Sequence, residues 1–251
     1  MSLQIALTCL VLLASVAVIA TLLYGLNRAL AVANWPAQKH AGAMRISAAV
    51  LLGWFAVALG LALSGVFQAA PDRVPTILLP ILLPILIGAW LIWRSDATRQ
   101  LIEAIPQPLL IATQIFRVLG GVFLILYASG KMPGLFAWPA GSGDFLIGVL
   151  APIIAVAYAR DPAKNGDILA AWNVLGILDL IVAVATGFAT SPSPFQLAAF
   201  DQPNVLITAF PLVMVPIFLV PLAIILHLAS LAKLYRSAQE EKHGRIVSLA
   251  A

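Results

Sequence analysis

The chain has 251 residues, of which 62% are apolar and only 10% charged, with a formal net charge of +4 and a single cysteine. Soluble globular domains carry about 25% charged residues, so that class is excluded, and the lone Cys9 excludes a disulfide framework within the chain. The positive balance does not make a nucleic-acid binder either, because the Lys and Arg residues sit between apolar runs and form no continuous basic face.

A helix that crosses the hydrocarbon core needs about 20 apolar residues. Seven stretches approach that length: 3–25, 46–68, 76–93, 107–129, 143–159, 166–189 and 209–231. None alternates strictly between apolar and polar residues, so the expected class is an all-α polytopic bundle rather than a β-barrel. The first stretch has no basic side chain ahead of it and exceeds the roughly 7–15 apolar residues of a signal peptide. It reads as an uncleaved anchor, although Ala31-Val32-Ala33 mimics a cleavage site.

The third and seventh stretches contain Pro80 and Pro84, and Pro211, Pro216 and Pro221. Each proline removes a backbone donor and bends a helix. Broken helices expose backbone to substrates in transporters, and a fixed kink that shapes the bundle is the other reading. The 130–143 connection, GKMPGLFAWPAGSG, is rich in Gly and Pro yet nearly uncharged, which suits a segment that dips into the membrane or caps the bundle. Asp144 opens the fifth stretch, where an acid is favoured as a helix cap. If the preceding segment is re-entrant, Asp144 instead descends toward Arg117. The tail, 233–251, mixes Lys233, Arg236, Glu240, Glu241, Lys242 and Arg245 and is expected to extend as a helix over lipid headgroups, leaving 1–232 as the membrane domain.

Cytoplasmic loops carry the excess of Lys and Arg. With the N-terminus outside, the inner segments hold Arg28, Lys39, Arg45, Arg94, Arg99, Arg160, Lys164, Lys233, Arg236, Lys242 and Arg245, whereas the outer ones hold only Arg73 and Lys131. That asymmetry predicts an odd number of crossings and a cytoplasmic C-terminus. Trp35, Trp93 and Trp138 fall at boundaries, where amphipathic rings prefer to sit, while Trp54, Trp90 and Trp172 lie deeper and read as packing residues.

One basic residue, Arg117, remains within an apolar stretch, about 15 Å deep at 1.5 Å per residue. Asp179 lies at a similar depth in the sixth stretch. A charge at the bilayer centre costs about 2.5–3.5 kcal/mol on insertion scales, so each needs a partner or a task. An Arg–carboxylate pair between the fourth and sixth helices is the natural inference. On an α-helix Gln114 and Gly121 would share the face of Arg117, and Trp172 and Gly176 that of Asp179, with Asn173 nearby but off the stripe. The pair is either a structural staple or part of a ligand or ion pathway, in which Arg117 binds an anionic group or Asp179 takes and releases a proton.

Other chemistry finds little footing. His227 reads as an interfacial or packed histidine, and His40 and His243 fall in a loop and the tail, so two axial ligands for a membrane haem are lacking. The seventh stretch has no lysine before Lys233, which argues against a retinal protein. No cluster of metal-ligand spacing, phosphate loop or nucleophile elbow occurs, so no catalytic residue, metal or cofactor is expected.

Residues 114–152, QIFRVLGGVFLILYASGKMPGLFAWPAGSGDFLIGVLAP, resemble a pattern in uncharacterised bacterial polytopic membrane proteins. The resemblance implies a small bacterial inner-membrane protein and carries no activity. It includes both Arg117 and Asp144. The expectation is therefore a small-solute transporter or ligand-binding membrane protein with a polar centre of Arg117, Asp179, Asp144, Gln114 and Asn173. Its partners would be the bilayer and a small anionic or protonatable solute. The alternative is an accessory or scaffold subunit of a larger membrane complex.

Overall fold

The computed structural model describes residues 2–250, with side chains described over 2–240. All its regular elements are helical. Ser2 accepts from the amide of Ile5 and so caps α1 (Leu3–Val32), which a short turn joins to α2 (Ala37–Leu63). Next come α3 (Leu78–Arg94) and the short α4 (Asp96–Ala104), which is capped by Ser95. A composite span follows: α5 (Gln107–Ala112), a 3₁₀ stretch (Thr113–Gly120) and α6 (Gly121–Ala128). The chain then runs through α7 (Gly134–Arg160) and α8 (Pro162–Thr190). A π-helical turn (Val215–Leu219) leads into α9 (Val220–Ala250).

Six of these spans are long and apolar enough to cross a membrane, which is compatible with a multi-pass membrane protein. The third expected crossing differs. Its helix, α3, has 17 residues and meets α4 at an 88° bend, and counting that pair as one span gives up to seven. The bend falls at Ser95, whose extended backbone ends α3 and whose hydroxyl starts α4.

Side-chain contacts define two poles. At one, Asn27 meets His40 at 2.9 Å and Lys39 donates to Gln100 at 2.7 Å. At the other, Gln4 donates to the carbonyl of Phe210 and the amide of Ala69 donates to the Thr208 hydroxyl at 3.1 Å. Between them α3 packs along α9, and Arg236 on α9 donates to the carbonyl of Ile92 at 2.6 Å. Lys233 donates to the carbonyls of Ile102, Glu103 and Ile105, the end of α4. Lys233 and Arg236 thus tie down helix-end carbonyls, which lack partners within their own helix. The expected headgroup contacts of Glu241, Lys242 and Arg245, and the side chain of His243, lie outside the described residues.

Two further expectations change. Residues 134–143 are helical, not a loop, so α7 begins well before Asp144; Pro133 starts it, and Pro139 is accommodated inside it. Trp90 is exposed on the surface of α3, whereas Trp54 packs edge-on against Phe218 at 4.8 Å and Trp172 is buried. The main apolar core joins α1, α2, α6, α7 and the Leu212–Leu226 segment.

Candidate functional site

The centre of the bundle is organised by the 3₁₀ stretch. Three residues per turn places positions i and i+3 directly above one another. Thr113–Gly120 therefore lines up Gln114, Arg117 and Gly120, and all three are buried. Gly121, which α-helical spacing put on this face, turns toward Phe145 instead. Gly120 is the residue against Asp144, and a side chain there would overlap its carboxylate.

Arg117 is the hub. Its Nε donates to Asp144 Oδ1 at 2.7 Å, and its Nη2 donates to Asp179 Oδ2. Nη1 donates to the carbonyl of Gly176 at 3.1 Å and lies 3.0 Å from His227 Nε2. A guanidinium has five N–H groups, so these contacts engage four of them. Asp144 is therefore not a cap. It lies well inside α7, because that helix starts ten residues earlier than the composition of the loop suggested.

Sequence reasoning missed what stands behind Arg117. His227, fully buried, places Nδ1 2.9 Å from Asn173 Oδ1. The Asn173 amide nitrogen donates to the Leu169 carbonyl and to Ser230 Oγ, each at 2.9 Å, which leaves its oxygen as the acceptor. His227 Nδ1 must then carry the proton, and Nε2 must offer its lone pair to Arg117. The ring is thus a neutral imidazole held in one tautomer, with Trp172 edge-on at 5.0 Å. Gln107 donates to Ser230 Oγ at 2.8 Å and to the Ser230 carbonyl at 3.0 Å, extending the polar chain from α8 and α9 to the start of α5. The signal was present as two polar residues three apart, His227 and Ser230, in the otherwise apolar stretch 209–231.

Of the expected residues, Arg117, Asp144 and Asp179 meet directly. Asn173 joins through His227. Gln114 stays on the hub's face but donates to the Ala223 carbonyl at 2.9 Å, fastening the 3₁₀ stretch to α9. Such close approach needs missing side chains. At Gly143 a Cβ would overlap the Asp179 carboxylate, and at Gly176 the His227 ring.

With a neutral His227, one guanidinium faces two carboxylates, an excess of one negative charge in apolar surroundings. Among the described residues no group of three or more His, Cys, Asp or Glu side chains is arranged to hold a metal ion. A cleft open to solvent is lined by the 66–77 connection, Ser191 and Thr208 and reaches Asp144. A smaller pocket, also lined by Asp144, is bordered by Arg117, Leu10 and Ala223. Asp144 and Phe123 line both.

Neither a curated protein nor a solved structure matches the chain. Residues 73–235 match a family described as Domain of unknown function (DUF8737), a region that contains every member of the polar chain from Gln107 to Ser230. The chain belongs to this uncharacterised family.

Proposed function

We propose that the protein is a small-solute transporter or ligand-binding protein of a bacterial cytoplasmic membrane, with Arg117, Asp144 and Asp179 as a proton-binding centre in its pathway. The observation that carries this reading is the charge count. Two carboxylates from α7 and α8 share one guanidinium near the middle of their spans, and a cleft reaches one of them. An uncompensated charge in hydrocarbon is costly, so one proton on the carboxylate pair brings the cluster to neutrality. Arg117 as an anion receptor is the weaker version, because one N–H is too few for a bidentate grip.

The topology read here is seven crossings, N-terminus outside and C-terminus in the cytoplasm. The contacts of α3 support it: Leu78 at its start lines one cleft with Ala69 and Thr208, and Ile92 near its end, toward the opposite pole, accepts from Arg236. Basic residues Lys39, Arg94, Arg99, Lys233 and Arg236 gather at that second pole, as a cytoplasmic face requires.

Infrared spectroscopy of the reconstituted protein tests the centre. A protonated carboxyl C=O band at neutral pH, lost in Asp144→Asn or Asp179→Asn, is the expected result. Absence of the band in the parent protein would remove the proposal. For the topology, a cysteine replacing Phe200 in a Cys9→Ala background should react with impermeant maleimide on intact cells, and one replacing Arg99 should not. Reversed labelling overturns the orientation.

The near-complete pairing of Arg117 favours a second reading, an accessory or scaffold subunit whose charges only fasten helices. It predicts a fixed partner in mild-detergent pull-downs and a cluster that carries no titrating proton.

A further inference from the structure

The cleft that ends on Asp144 has a chemistry of its own. Its walls are apolar and partly aromatic: Phe67, Ile81, Phe123, Phe136, Ile207 and Val220. Phe123 and Phe136 stand edge to face at 5.2 Å, so one wall is a fixed aromatic surface. Arg73 at the mouth is exposed, and Asp72 precedes it, so water and salt screen its field. The deep end differs. There Asp144 is the one acidic residue in the lining, and it sits among apolar groups.

Arg117 engages only Oδ1 of Asp144, and among the described residues no donor reaches Oδ2. An ionised carboxylate at the end of an apolar cleft selects by charge. An anion would meet two carboxylates. A neutral apolar molecule would leave the excess negative charge where it is. An organic cation balances it and places its body against the aromatic wall, where cation–π and apolar contacts add to the ion pair.

We infer that this cleft binds organic ammonium ions with an aromatic or aliphatic body, the ammonium group donating to Asp144 and the body lying between Phe123, Phe136 and Ile81. The inference rests on the carboxylate pair as a proton-binding centre and adds the ligand. Proton and ammonium satisfy the same excess charge, so each excludes the other. When the ammonium binds, the proton leaves the carboxylate pair for solvent, and the net charge of the cluster with its occupant is unchanged.

The test uses the full-length protein in detergent with phenethylamine, set against 2-phenylethanol and 3-phenylpropionate as neutral and anionic counterparts. Titration calorimetry in two buffers of different ionisation heat should give saturable amine binding with about one proton released per amine. The alcohol and the acid should bind at least about tenfold more weakly, the scale of a hydrogen bond to a charged group. Asp144→Asn should reduce amine affinity by about tenfold to a hundredfold. Val184→Trp, which fills the cleft without touching the charges, should block binding while the protonated-carboxyl infrared band persists, and it serves if Asp144→Asn does not fold. Equal affinity for amine and alcohol, or amine binding that survives Val184→Trp or Asp144→Asn, overturns the inference. If the amine fails to bind while the carboxyl band is present, the ligand class is wrong and the proton-binding centre stands. If both are missing, the centre itself falls.

Discussion

The α2 span and the span that holds α9 have equal mean hydropathy, yet 78% of the α9 window is buried inside the bundle and only 11% of the α2 window. Apolarity therefore says that both suit hydrocarbon and nothing about which is central. In a bilayer, lipid tails solvate Leu as well as a protein core does, so helices gather around polar groups and close packing. The α9 span carries His227, Ser230 and the prolines that loosen its start, and it packs against α3, α5 and α8. Below its first turns α2 carries no comparable group, and it meets the bundle chiefly through α1 and through the contact of Trp54 and Phe55 with Phe218.

The most severe way to break this contrast is to remove the polar centre. Arg117→Leu leaves two carboxylates facing each other and takes the donor from His227 Nε2. Truncating one side of a buried ion pair costs about 3–5 kcal/mol. The loss should appear in detergent unfolding of the purified protein, and adding Asp144→Asn and Asp179→Asn should recover part of it. If Arg117→Leu is as stable as the parent, the centre does not hold the bundle together. A lipid-facing change on α2 such as Val50→Leu should leave stability unchanged in the same assay.

How much of this could be read beforehand follows the same division. Six of the seven expected spans overlap helical spans long and apolar enough to cross a membrane, and the third overlaps α3 of a bent pair, because bilayer thickness imposes a length that hydropathy detects; Arg117 and Asp179 are visible because charges are rare at that depth. Asp144 lies inside α7 beside Arg117 rather than at a cap, since Gly, Pro and Ser between 134 and 143 look like a loop in water but are tolerated in a helix that neighbours surround. Gly120 was hidden behind a change of helical period that no composition signals. His227 was set aside because distance from Lys233 suggested the interface, whereas α9 continues far past that lysine and carries His227 into the interior.

A milder blow falls on the packing of α7. A Cβ at Gly148 would lie 2.5 Å from the Val118 amide nitrogen and 3.0 Å from the carbonyl carbon of Arg117, and backbone cannot rotate aside. Gly148→Ala should cost about 1–3 kcal/mol by overpacking and lengthen the Arg117–Asp144 contact. An unfolding midpoint equal to that of the parent would mean that the 3₁₀ stretch is free to slide. His227→Leu falls in the same range for a different reason. It leaves Asn173 Oδ1 without a donor and Arg117 Nη1 with only the Gly176 carbonyl, at a cost of about 1–3 kcal/mol. His227→Gln, able to offer both a donor and an acceptor, should lose less.

The smallest effect is the sharpest test of α2. Nothing lies within 4 Å of a Cβ placed at Gly53 or Gly60, so Gly53→Ala meets open space. Alanine is the better helix former by about 1 kcal/mol in water, and membrane surroundings shrink that margin, so the expected change is a gain between zero and about 1 kcal/mol. Thermal unfolding of the purified chain in detergent reads it, with Gly148→Ala measured beside it. Should Gly53→Ala instead weaken a complex isolated from mild detergent while leaving the lone chain unaffected, the α2 face is covered by a partner. That outcome would move the balance from a self-contained ligand-binding protein to the accessory-subunit reading, and it would make α2, not α9, the helix through which the protein works.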